Sequence, residues 1–324
     1  MLQVARDVGF ADVGRLSSDT PAQELPIGYP NEPGILRGIA QRCGRALAQL
    51  KTRAVLGVDS ALAQVQTILR SVKEHPLFAK STQAKRRVLT RLLTEVGQLV
   101  VHTRPLLRRL GDSRDRVIQR ATATLVAMHE VAKCLIPQIV QWITTGVVAK
   151  GKIVHAGITQ ARALVRHKAG KEVEFGLPYL LSRLGGGYLF GTMIRGGVDE
   201  SKMPLQALAG YRAIFGAHAT PMLLVYDRGG YATATLSALA REGVKQIGIQ
   251  PKGQGMWHVA EAIRETVRSE RGKTEGIIGT LKTDTYGFNK PKERLWHTLE
   301  MAGPRSVLSF NLNKLMRDLI RADR

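Results

Sequence analysis

The chain of 324 residues contains only two cysteines, Cys43 and Cys134, which lie far apart in the sequence. This spacing supports neither a disulfide framework nor a zinc site, so we expect two reduced thiols that pack as small apolar groups. Apolar runs are interrupted by charged residues within about 12 positions, which is shorter than a membrane span requires. The start, MLQVARDVGF, lacks the continuous apolar core of a secretory signal. These absences predict a soluble, cytoplasmic protein without a membrane partner.

Acidic residues are also scarce. The sequence has 26 of them against 48 lysines and arginines, which gives a formal net charge of +22 and a pI near 10.5. This balance favours a polyanionic partner, nucleic acid first and an anionic membrane surface second. There is no GxxxxGKS/T motif, which argues against a nucleoside triphosphatase. We therefore expect a protein that binds nucleic acid.

The segment from Ile35 to about Val148 has the periodicity of helices. Apolar residues recur at spacings of three and four, as in Leu89, Leu92 and Val96, with arginine and lysine between them. This pattern is typical of amphipathic helices that bury one face. We expect four or five helices, the last of them ended or kinked at Pro137. The expected breaks are Gly57, His75-Pro76, Pro105 and Gly111-Asp112.

The same segment carries a high density of positive charge. Between Lys85 and Arg120 there are ten basic residues and three acidic ones. Any single arginine is readily explained by a solvated helix face, but the group favours a surface that follows the phosphates of nucleic acid. Such backbone contacts carry no sequence specificity. The residues that we assign to DNA binding here are Lys85, Arg86, Arg87, Arg108 and Arg109.

Beyond residue 149 the pattern changes to that of strands. Lys150–Val154 and Arg162–Lys168 are basic and rich in strand-forming residues. Two apolar runs, Val173–Leu181 and Gly187–Ile194, flank a glycine-rich turn and predict a hairpin. A short helix is expected from Met203 to Phe215.

A strand–helix–strand unit follows. The apolar run Met222–Tyr226 predicts a buried strand that ends at Asp227 and a pair of glycines. A helix is expected over Ala232–Arg241 and a second buried strand over Lys245–Ile249. Such a unit indicates a parallel sheet and an α/β fold. Because ligands gather at the carboxyl ends of parallel strands, Asp227 is a candidate metal ligand.

Residues 264–281 are compatible with a helix on which Arg271, Glu275 and Lys282 share one face. Their offsets of four and seven place the three side chains on the same side, and Arg268 extends the basic edge by one turn. An ordinary surface pair of Arg271 and Glu275, worth roughly a few tenths of a kcal/mol, would show the same spacing. A lone acid among many basic residues, one element after the strand that ends in Asp227, favours a metal ligand beside a bound phosphate.

The first 35 residues give a weaker pattern. Residues 13–27 are compatible with an extended strand that has Asp19 in its middle, followed by a turn-rich stretch. Taken alone, Asp19 would be a helix cap or a turn residue more often than a ligand.

The basic helix resembles part of a known family signature. Arg271-x3-Glu275-x6-Lys282 is similar to the Tyr-x2-Arg-x3-Glu-x6-Lys signature of insertion-sequence transposases that have a DDE catalytic triad. Arg268 stands where that signature has its tyrosine, so the sequence departs from the family at this position.

Other parts of the chain extend the resemblance over nearly its whole length. Asp227 in YDRGGY resembles the second acid of the triad. Asp19-Thr20, with the downstream ELPIGYPNEPGILRGIAQR, resembles the region of the first acid in transposases of the ISNCY type. The tail SVLSFNLNKLMRDL is similar to their closing helix.

The resemblance implies a ribonuclease H-like fold, a mixed five-stranded sheet flanked by helices, with the acids converging at one edge. The first strand would lie in residues 1–34, an all-helical insertion in 35–148 and the remainder of the catalytic domain in 149–324. The hairpin of residues 173–194 would supply the second and third strands, and Glu275 would follow the fifth. Glu24, Glu174 and Asp199 are alternatives to Asp19 as the first acid.

The implied activity is metal-dependent cleavage and strand transfer of DNA at the ends of an insertion sequence. Asp19, Asp227 and Glu275 would hold two Mg2+ ions, with Mn2+ as a possible substitute. Arg271 and Lys282 would fix the flanking phosphates, and Arg268 would extend this DNA-binding edge.

The implied partner is double-stranded DNA, as transposon ends and as target. By analogy, a homodimer would hold it, because two paired ends need two active sites. The expected location is the nucleoid of a prokaryotic cytoplasm. Asp19 lies so near the start that no room remains for the DNA-binding domain usually found upstream. We therefore expect a truncated or internally initiated copy, or one that recognises its ends through other elements.

Two alternatives remain. One is a non-catalytic DNA-binding remnant of a truncated transposase, which would work through its helical segment. The other is a ribonuclease H-like nuclease that cuts without strand transfer.

Overall fold

The structure, a computed structural model, describes residues 1–78, 81–168, 171–253, 255–257, 259–293 and 295–323. The chain divides into two compact units: unit 1 is Met1–Pro26 with Leu164–Arg324, and unit 2 is Ile27–Ala163. Unit 1 is an α/β structure, and unit 2 is built from helices. Unit 2 begins before and ends after the range 35–148 that the helical periodicity marked.

A mixed sheet forms the centre of unit 1. The strands are β1 (Asp12–Asp19), β2 (Ala22–Glu24), β3 (Arg162–Lys168), β4 (Lys171–Gly185), β5 (Leu189–Met193), β6 (Leu223–Tyr226) and β7 (Gln246–Ile249). β1 and β5 both pair antiparallel with the same part of β4, so they lie on its two edges. β6 runs parallel to β1, and β7 runs parallel to β6. The central order is therefore β5-β4-β1-β6-β7, and the short β2 and β3 also pair with β4.

The helices of both units, in chain order, are α1 (Leu2–Asp7), α2 (Glu32–Thr52), α3 (Val58–Phe78), α4 (Thr82–Leu110), α5 (Arg116–Thr145), α6 (Met203–Phe215), α7 (Thr233–Arg241), α8 (Glu261–Leu281), α9 (Trp296–Leu299) and α10 (Ala302–Ala322).

Helices of unit 1 lie on both faces of its sheet. Side chains alternate along β6, as strand geometry requires. Leu224 and Tyr226 enter the core that contains residues of α6 and α7, whereas Leu223 and Val225 contact Val267 of α8.

The α/β class predicted from the sequence is confirmed by this sheet and its helices. β6 and β7 begin one residue later than predicted, and α6 has the predicted bounds. The predicted hairpin is formed by β4 and β5, and its turn contains Gly186 at φ +82°. A Cβ on Gly186 would lie 2.1 Å from the carbonyl oxygen of Phe10, so this turn requires glycine.

Two local predictions were wrong. Asp19 is the last residue of β1, not its middle, because Pro21 follows closely and has no backbone N–H to continue the ladder. Lys150–Val154 forms no strand. Its apolar residues Ile153 and Val154 are buried, and Ile153 belongs to the helical core of unit 2, so the segment covers helices and does not extend a sheet.

Unit 2 packs α2, α3, α4 and α5 around one apolar core. Gly57 and Gly111-Asp112 lie between helices as predicted, but the prolines do not break them. His75-Pro76 falls within α3, and Pro105 and Pro137 lie inside α4 and α5. Apolar residues on either side of Pro105 and of Pro137 pack into the same core, which outweighs the lost backbone hydrogen bond. α3 and α4 therefore continue through the breaks predicted at His75-Pro76 and Pro105, and α5 does not end at Pro137.

Among the described residues, α5 is long and apolar enough to span a membrane, by length and composition alone. This finding corrects the expectation that no segment reaches such a length. The apolar character is explained by Leu125, Met128, Leu135 and Ile139, which are buried in the core of unit 2. Core helices of soluble proteins commonly have this composition.

The two cysteines differ in their surroundings. Cys43 is buried in the core of unit 2, and burial raises the pKa of its thiol to about 12. Cys134 is exposed, so the prediction that both thiols pack as apolar groups was wrong for Cys134.

Candidate acidic site at the strand ends

The parallel pairing of β1 with β6 brings two acidic residues to the same edge. Ser17 is paired with Val225, and Asp19 and Asp227 each lie two residues further along. Paired strands are about 4.8 Å apart, and residues two apart point to the same face. The register therefore makes Asp19 and Asp227 neighbours at the carboxyl ends of adjacent parallel strands.

Each of these aspartates is oriented by the backbone that follows it. Asp19 Oδ1 accepts a hydrogen bond from the amide of Thr20 at 2.7 Å. Asp227 Oδ1 accepts one from the amide of Gly229 at 2.8 Å. Among the described residues, neither aspartate has an ion-pair partner. Two neighbouring carboxylates repel each other, and a cation placed between them would offset this repulsion.

α8 lies over the face of the sheet that carries these acids. Thr274 Oγ1 donates a hydrogen bond to Ser17 Oγ at 2.8 Å, and Val267 packs on Val225. Glu275 follows Thr274 directly. A cavity of about 380 Å³ lies between the strand ends and the helix. Its lining includes the three predicted acids and two predicted phosphate ligands, together with one alternative acid: Asp19, Asp227, Glu275, Arg271, Lys282 and Glu174.

The third acid is less fixed than the first two. The side chain of Glu275 is 65% exposed, and Arg271 lies 3.7 Å from it. Among the described residues, no group of three His, Cys, Asp or Glu side chains is arranged to hold a metal ion. The three acids therefore share one cavity without forming a ligand cluster.

A buried ion cluster that the sequence did not reveal anchors α8 to the sheet. Glu270 is 2% exposed and accepts hydrogen bonds from Arg183 of β4 at 2.5 Å and from Lys273 at 3.1 Å. Arg15 of β1 lies 3.5 Å from the same carboxylate. Burial alone would raise the pKa of Glu270, but the hydrogen bonds and charges of Arg183 and Lys273 outweigh it and hold the pKa below its ordinary value.

The signal for Glu270 was present in the helical spacing. Val267, Glu270, Thr274 and Ile278 recur at three and four, and all of them are buried. A glutamate at a core-facing position indicates a buried charge that needs partners. Lys273 lies on the same helix, whereas Arg15 and Arg183 come from β1 and β4, so only the fold identifies these two partners.

The other face of the strand end holds a second polar group. The hydroxyls of Thr20 and Tyr226 are hydrogen-bonded to each other. Burial raises the pKa of Tyr226, and the negative charges of Asp227, Asp19 and Glu200 raise it further. A Cβ on Gly229 would lie 1.8 Å from Glu200 Oε2. Glu200 therefore lies against the loop that orients Asp227, a role that the sequence did not indicate.

The alternatives to Asp19 are separated by the structure. Glu174 is buried and lines the cavity. Glu24 lies on β2 and is not part of the lining. Asp199 accepts a hydrogen bond from Ser201 at 2.6 Å outside the cavity.

The predicted DNA-binding residues fall into separate groups. Arg271 and Lys282 line the acidic cavity, whereas the exposed Arg268 does not. The others are exposed on α4 of unit 2, near its two ends: Lys85, Arg86, Arg87, Arg108 and Arg109. Helical rise places these two clusters about 33 Å apart along the axis.

Comparisons with protein-family models, with curated proteins and with solved structures found no match to this chain.

Proposed function

We propose that the chain is a DDE-type transposase that cleaves double-stranded DNA at insertion-sequence ends and transfers the strand to a target. One observation carries the proposal. Asp19, Asp227 and Glu275 line a single cavity together with Arg271 and Lys282. Carboxylates and cations around one cavity are what phosphoryl transfer needs, since the acids hold metal ions and the basic groups bind the substrate's phosphates.

The arrangement of the sheet supports a ribonuclease H-like assignment for unit 1. Its central strands are three antiparallel ones, β5, β4 and β1, followed by the parallel β6 and β7. Asp19 ends the first of them in chain order, Asp227 follows β6, and Glu275 lies on the helix after β7. This is the order of acids that the resemblance implies.

The donor set suits a hard divalent cation. The acids offer only carboxylate oxygens, which Mg2+ and Mn2+ prefer, and Mg2+ fills its other positions with water and substrate phosphate. Asp19 and Asp227 would hold the metal, with Glu275 completing the set. When bound, two such ions activate the attacking oxygen and stabilise the leaving oxygen.

The protein groups have distinct tasks in this scheme. The amides of Thr20 and Gly229 keep one oxygen of each aspartate fixed, and the second oxygen of each would bind the cation. Arg271 pairs with Glu275 in this structure. A DNA phosphate that takes over Arg271 would release Glu275 toward the aspartates. Lys282 would bind the next phosphate along the strand.

The nucleophile in this scheme is a water molecule or a DNA 3′-hydroxyl. The hydroxyls that line the cavity have structural partners: Ser17 bonds to Thr274, and Ser18 bonds to Ser182 at 2.8 Å. They tie the strands and α8 together, so no covalent enzyme intermediate is needed.

The remaining parts of the proposal follow from charge and symmetry. Unit 2 would bind flanking DNA through the basic clusters of α4, because exposed lysine and arginine groups displace counterions from the duplex. A homodimer would bring two cavities to two paired ends. The protein would act in the cytoplasm on the nucleoid.

The test is cleavage of a supercoiled plasmid that carries the ends of the element, with Mg2+ or Mn2+. Asp227→Asn and Glu275→Gln should abolish nicking while DNA binding is retained. Glu265→Gln and Asp284→Asn are the controls, because both acids are exposed and lie outside the cavity lining. If the wild type binds DNA but never cuts with either metal, the enzyme assignment is wrong. Equal cutting by the variants would show that other acids act.

A second candidate is a DNA-binding remnant that does not cut. It is favoured by the absence, within the described residues, of a formed three-acid group. Titration of Mn2+ against the wild type and Asp227→Asn separates the two functions, because a remnant would bind the ion equally weakly with and without the aspartate.

A further inference from the structure

A group of donor side chains in unit 2 is distinct from the basic clusters of α4. Arg42 and Arg45 lie three positions apart on α2, on neighbouring parts of one face. His155 lies in the segment of residues 152–158, which follows α5 and packs along α2. None of these three residues stood out in the sequence as a ligand.

The segment that carries His155 is held to the helices on both sides. Ala156 is buried, and a Cβ on Gly38 of α2 would lie 3.2 Å from it. The amide of Ile153 donates to Gln138 of α5 at 3.0 Å, and Lys152 pairs with Glu32 of α2. These contacts fix the position of His155 relative to α2.

Gly157 is required for the position of Arg42. A Cβ at residue 157 would lie 1.6 Å from Arg42 Nη2 and 2.1 Å from its Cζ. The guanidinium therefore occupies the space that a side chain at 157 would take. Any other residue would displace the Arg42 guanidinium from this position.

The two arginines of this group offer N–H donors to a ligand. Within the described residues, neither Arg42 nor Arg45 forms a hydrogen bond or an ion pair. His155 Nδ1 accepts from the amide of Gly157 at 3.2 Å, so the neutral ring carries its proton on Nε2. Burial and the charge of Arg45 lower the pKa of Arg42, and burial and the charge of Arg42 lower the pKa of His155. A half-buried positive group without a counter-charge is stabilised by an anion.

We propose that Arg42, Arg45 and His155 bind a phosphate group. A guanidinium presents paired N–H groups that match two phosphate oxygens, and a fixed backbone reduces the entropy lost on binding. Given the proposed function, on which this inference rests, the phosphate belongs to the DNA backbone. The site would hold flanking DNA on α2, in addition to the clusters of α4.

Binding of a DNA duplex is the first test, measured across a series of salt concentrations with the full chain. Arg42→Gln should weaken binding about tenfold and make the negative slope of log K against log salt less steep by about 1. Arg70→Gln is the matched control, since Arg70 is an exposed arginine of α3 without an ion pair among the described residues. It should change the affinity less than twofold. Equal effects of the two substitutions would overturn the proposal.

A second variant removes the geometry and keeps the charge. Gly157→Ala should weaken DNA binding as much as Arg42→Gln does, although the net charge is unchanged. Its melting temperature should stay close to that of the wild type, because the guanidinium is at the end of a flexible side chain. If Gly157→Ala binds DNA as tightly as the wild type, the position of Arg42 beside residue 157 is not needed for binding and the proposal is wrong.

Inorganic phosphate separates a local site from general attraction to DNA. In protein labelled with 15N at histidine, phosphate should shift the His155 ring signals of the wild type but not of Arg42→Gln. Shifts with phosphate, without any effect of Arg42→Gln on DNA, would identify a site for free phosphate and refute the DNA contact. These readouts measure binding alone, so a protein that never cuts DNA would refute the proposed activity and leave this site standing.

Discussion

The acidic cavity of unit 1 and the helical surface of unit 2 use charge in opposite ways. In unit 1, carboxylates are gathered at the strand ends, and the described cations around them are either paired or line the same cavity. In unit 2, cations are spread over exposed helix faces while the core is apolar. A sheet concentrates side chains from distant parts of the chain, whereas helices distribute neighbouring ones along an axis. Phosphoryl transfer at one phosphorus atom needs side chains gathered at one point, whereas binding along a DNA backbone suits cations spread along a helix.

The buried ion cluster under the cavity should show the largest effect on stability. Glu270→Ala would leave Arg183 buried and without its closest partner, which costs about 3–5 kcal/mol of unfolding free energy. Urea unfolding measures this loss. Glu265→Ala, an exposed change on the same helix, should cost less than about 0.5 kcal/mol. A loss below about 1 kcal/mol for Glu270→Ala would mean that the cluster does not anchor α8.

The loop after Asp227 should control activity more than stability. In Gly229→Ala the new Cβ would lie 1.8 Å from Glu200 Oε2 and 2.9 Å from Asp227 Oδ1. The carboxylates of Glu200 and Asp227 must therefore move, so we expect cleavage to fall at least about tenfold, as misplacement of catalytic groups commonly causes. Plasmid cleavage measures this.

Gly276→Ala is the control for that experiment. It is adjacent to Glu275, and a Cβ there meets nothing within 4 Å. Alanine in a helix is more favourable than glycine by up to about 1 kcal/mol, so this variant should be as stable as the wild type or more so and should cut equally well. If the Gly229→Ala and Gly276→Ala variants cut equally well, the position of Asp227 does not control cleavage.

If the basic residues of α4 contact DNA phosphates, replacing them should change how strongly the DNA affinity depends on salt concentration. The slope of log K against log salt is negative, and replacing Lys85, Arg86 and Arg87 by glutamine would make it less steep by up to about 2.7, if each side chain contacts one phosphate. The same change at Arg108 and Arg109 tests the other end of α4. Fluorescence anisotropy with a labelled duplex measures both slopes. Unchanged slopes at both ends would mean that these residues form only a solvated face.

The smallest effect concerns the pH at which each unit begins to lose stability. Burial and the charge of Arg104 lower the pKa of His129 in unit 2. The folded state then binds the proton less readily than the unfolded state, so stability falls as the pH drops below the unfolded histidine value of about 6.5. The depressed pKa of Glu270 acts at lower pH, with its stabilisation lost below about 4.3.

Thermal melts between pH 8 and pH 3 check this order. His129→Gln should remove part of the decline near pH 6 and leave the acid limb unchanged, whereas Glu270→Gln should flatten the acid limb. His129→Gln also changes the surroundings of Thr103, whose Oγ1 donates to the carbonyl of Leu99 at 2.7 Å and lies 2.6 Å from His129 Nε2. A decline near pH 6 that is the same in His129→Gln would assign it to another histidine.

Much of the architecture followed from local patterns. The period of the apolar residues predicted β6, β7, α6 and α7 within a residue or so, because a buried strand or helix face must be apolar at regular intervals. Proline was the misleading signal in unit 2. Pro105 and Pro137 lie inside helices, since packing against the four-helix core outweighs a local break.

By itself the sequence determined the positive charge, the α/β class and the helical block, and it singled out Asp19, Asp227 and Glu275 as candidate acids. Only the tertiary structure decided which residues meet. The register of Ser17 with Val225 brings Asp19 beside Asp227, Arg183 of β4 reaches Glu270, and Gly157 admits Arg42 beside His155. Local patterns arise from neighbours in the chain, whereas these contacts join residues that are distant in sequence, and they depend on strand register and packing that no local pattern encodes.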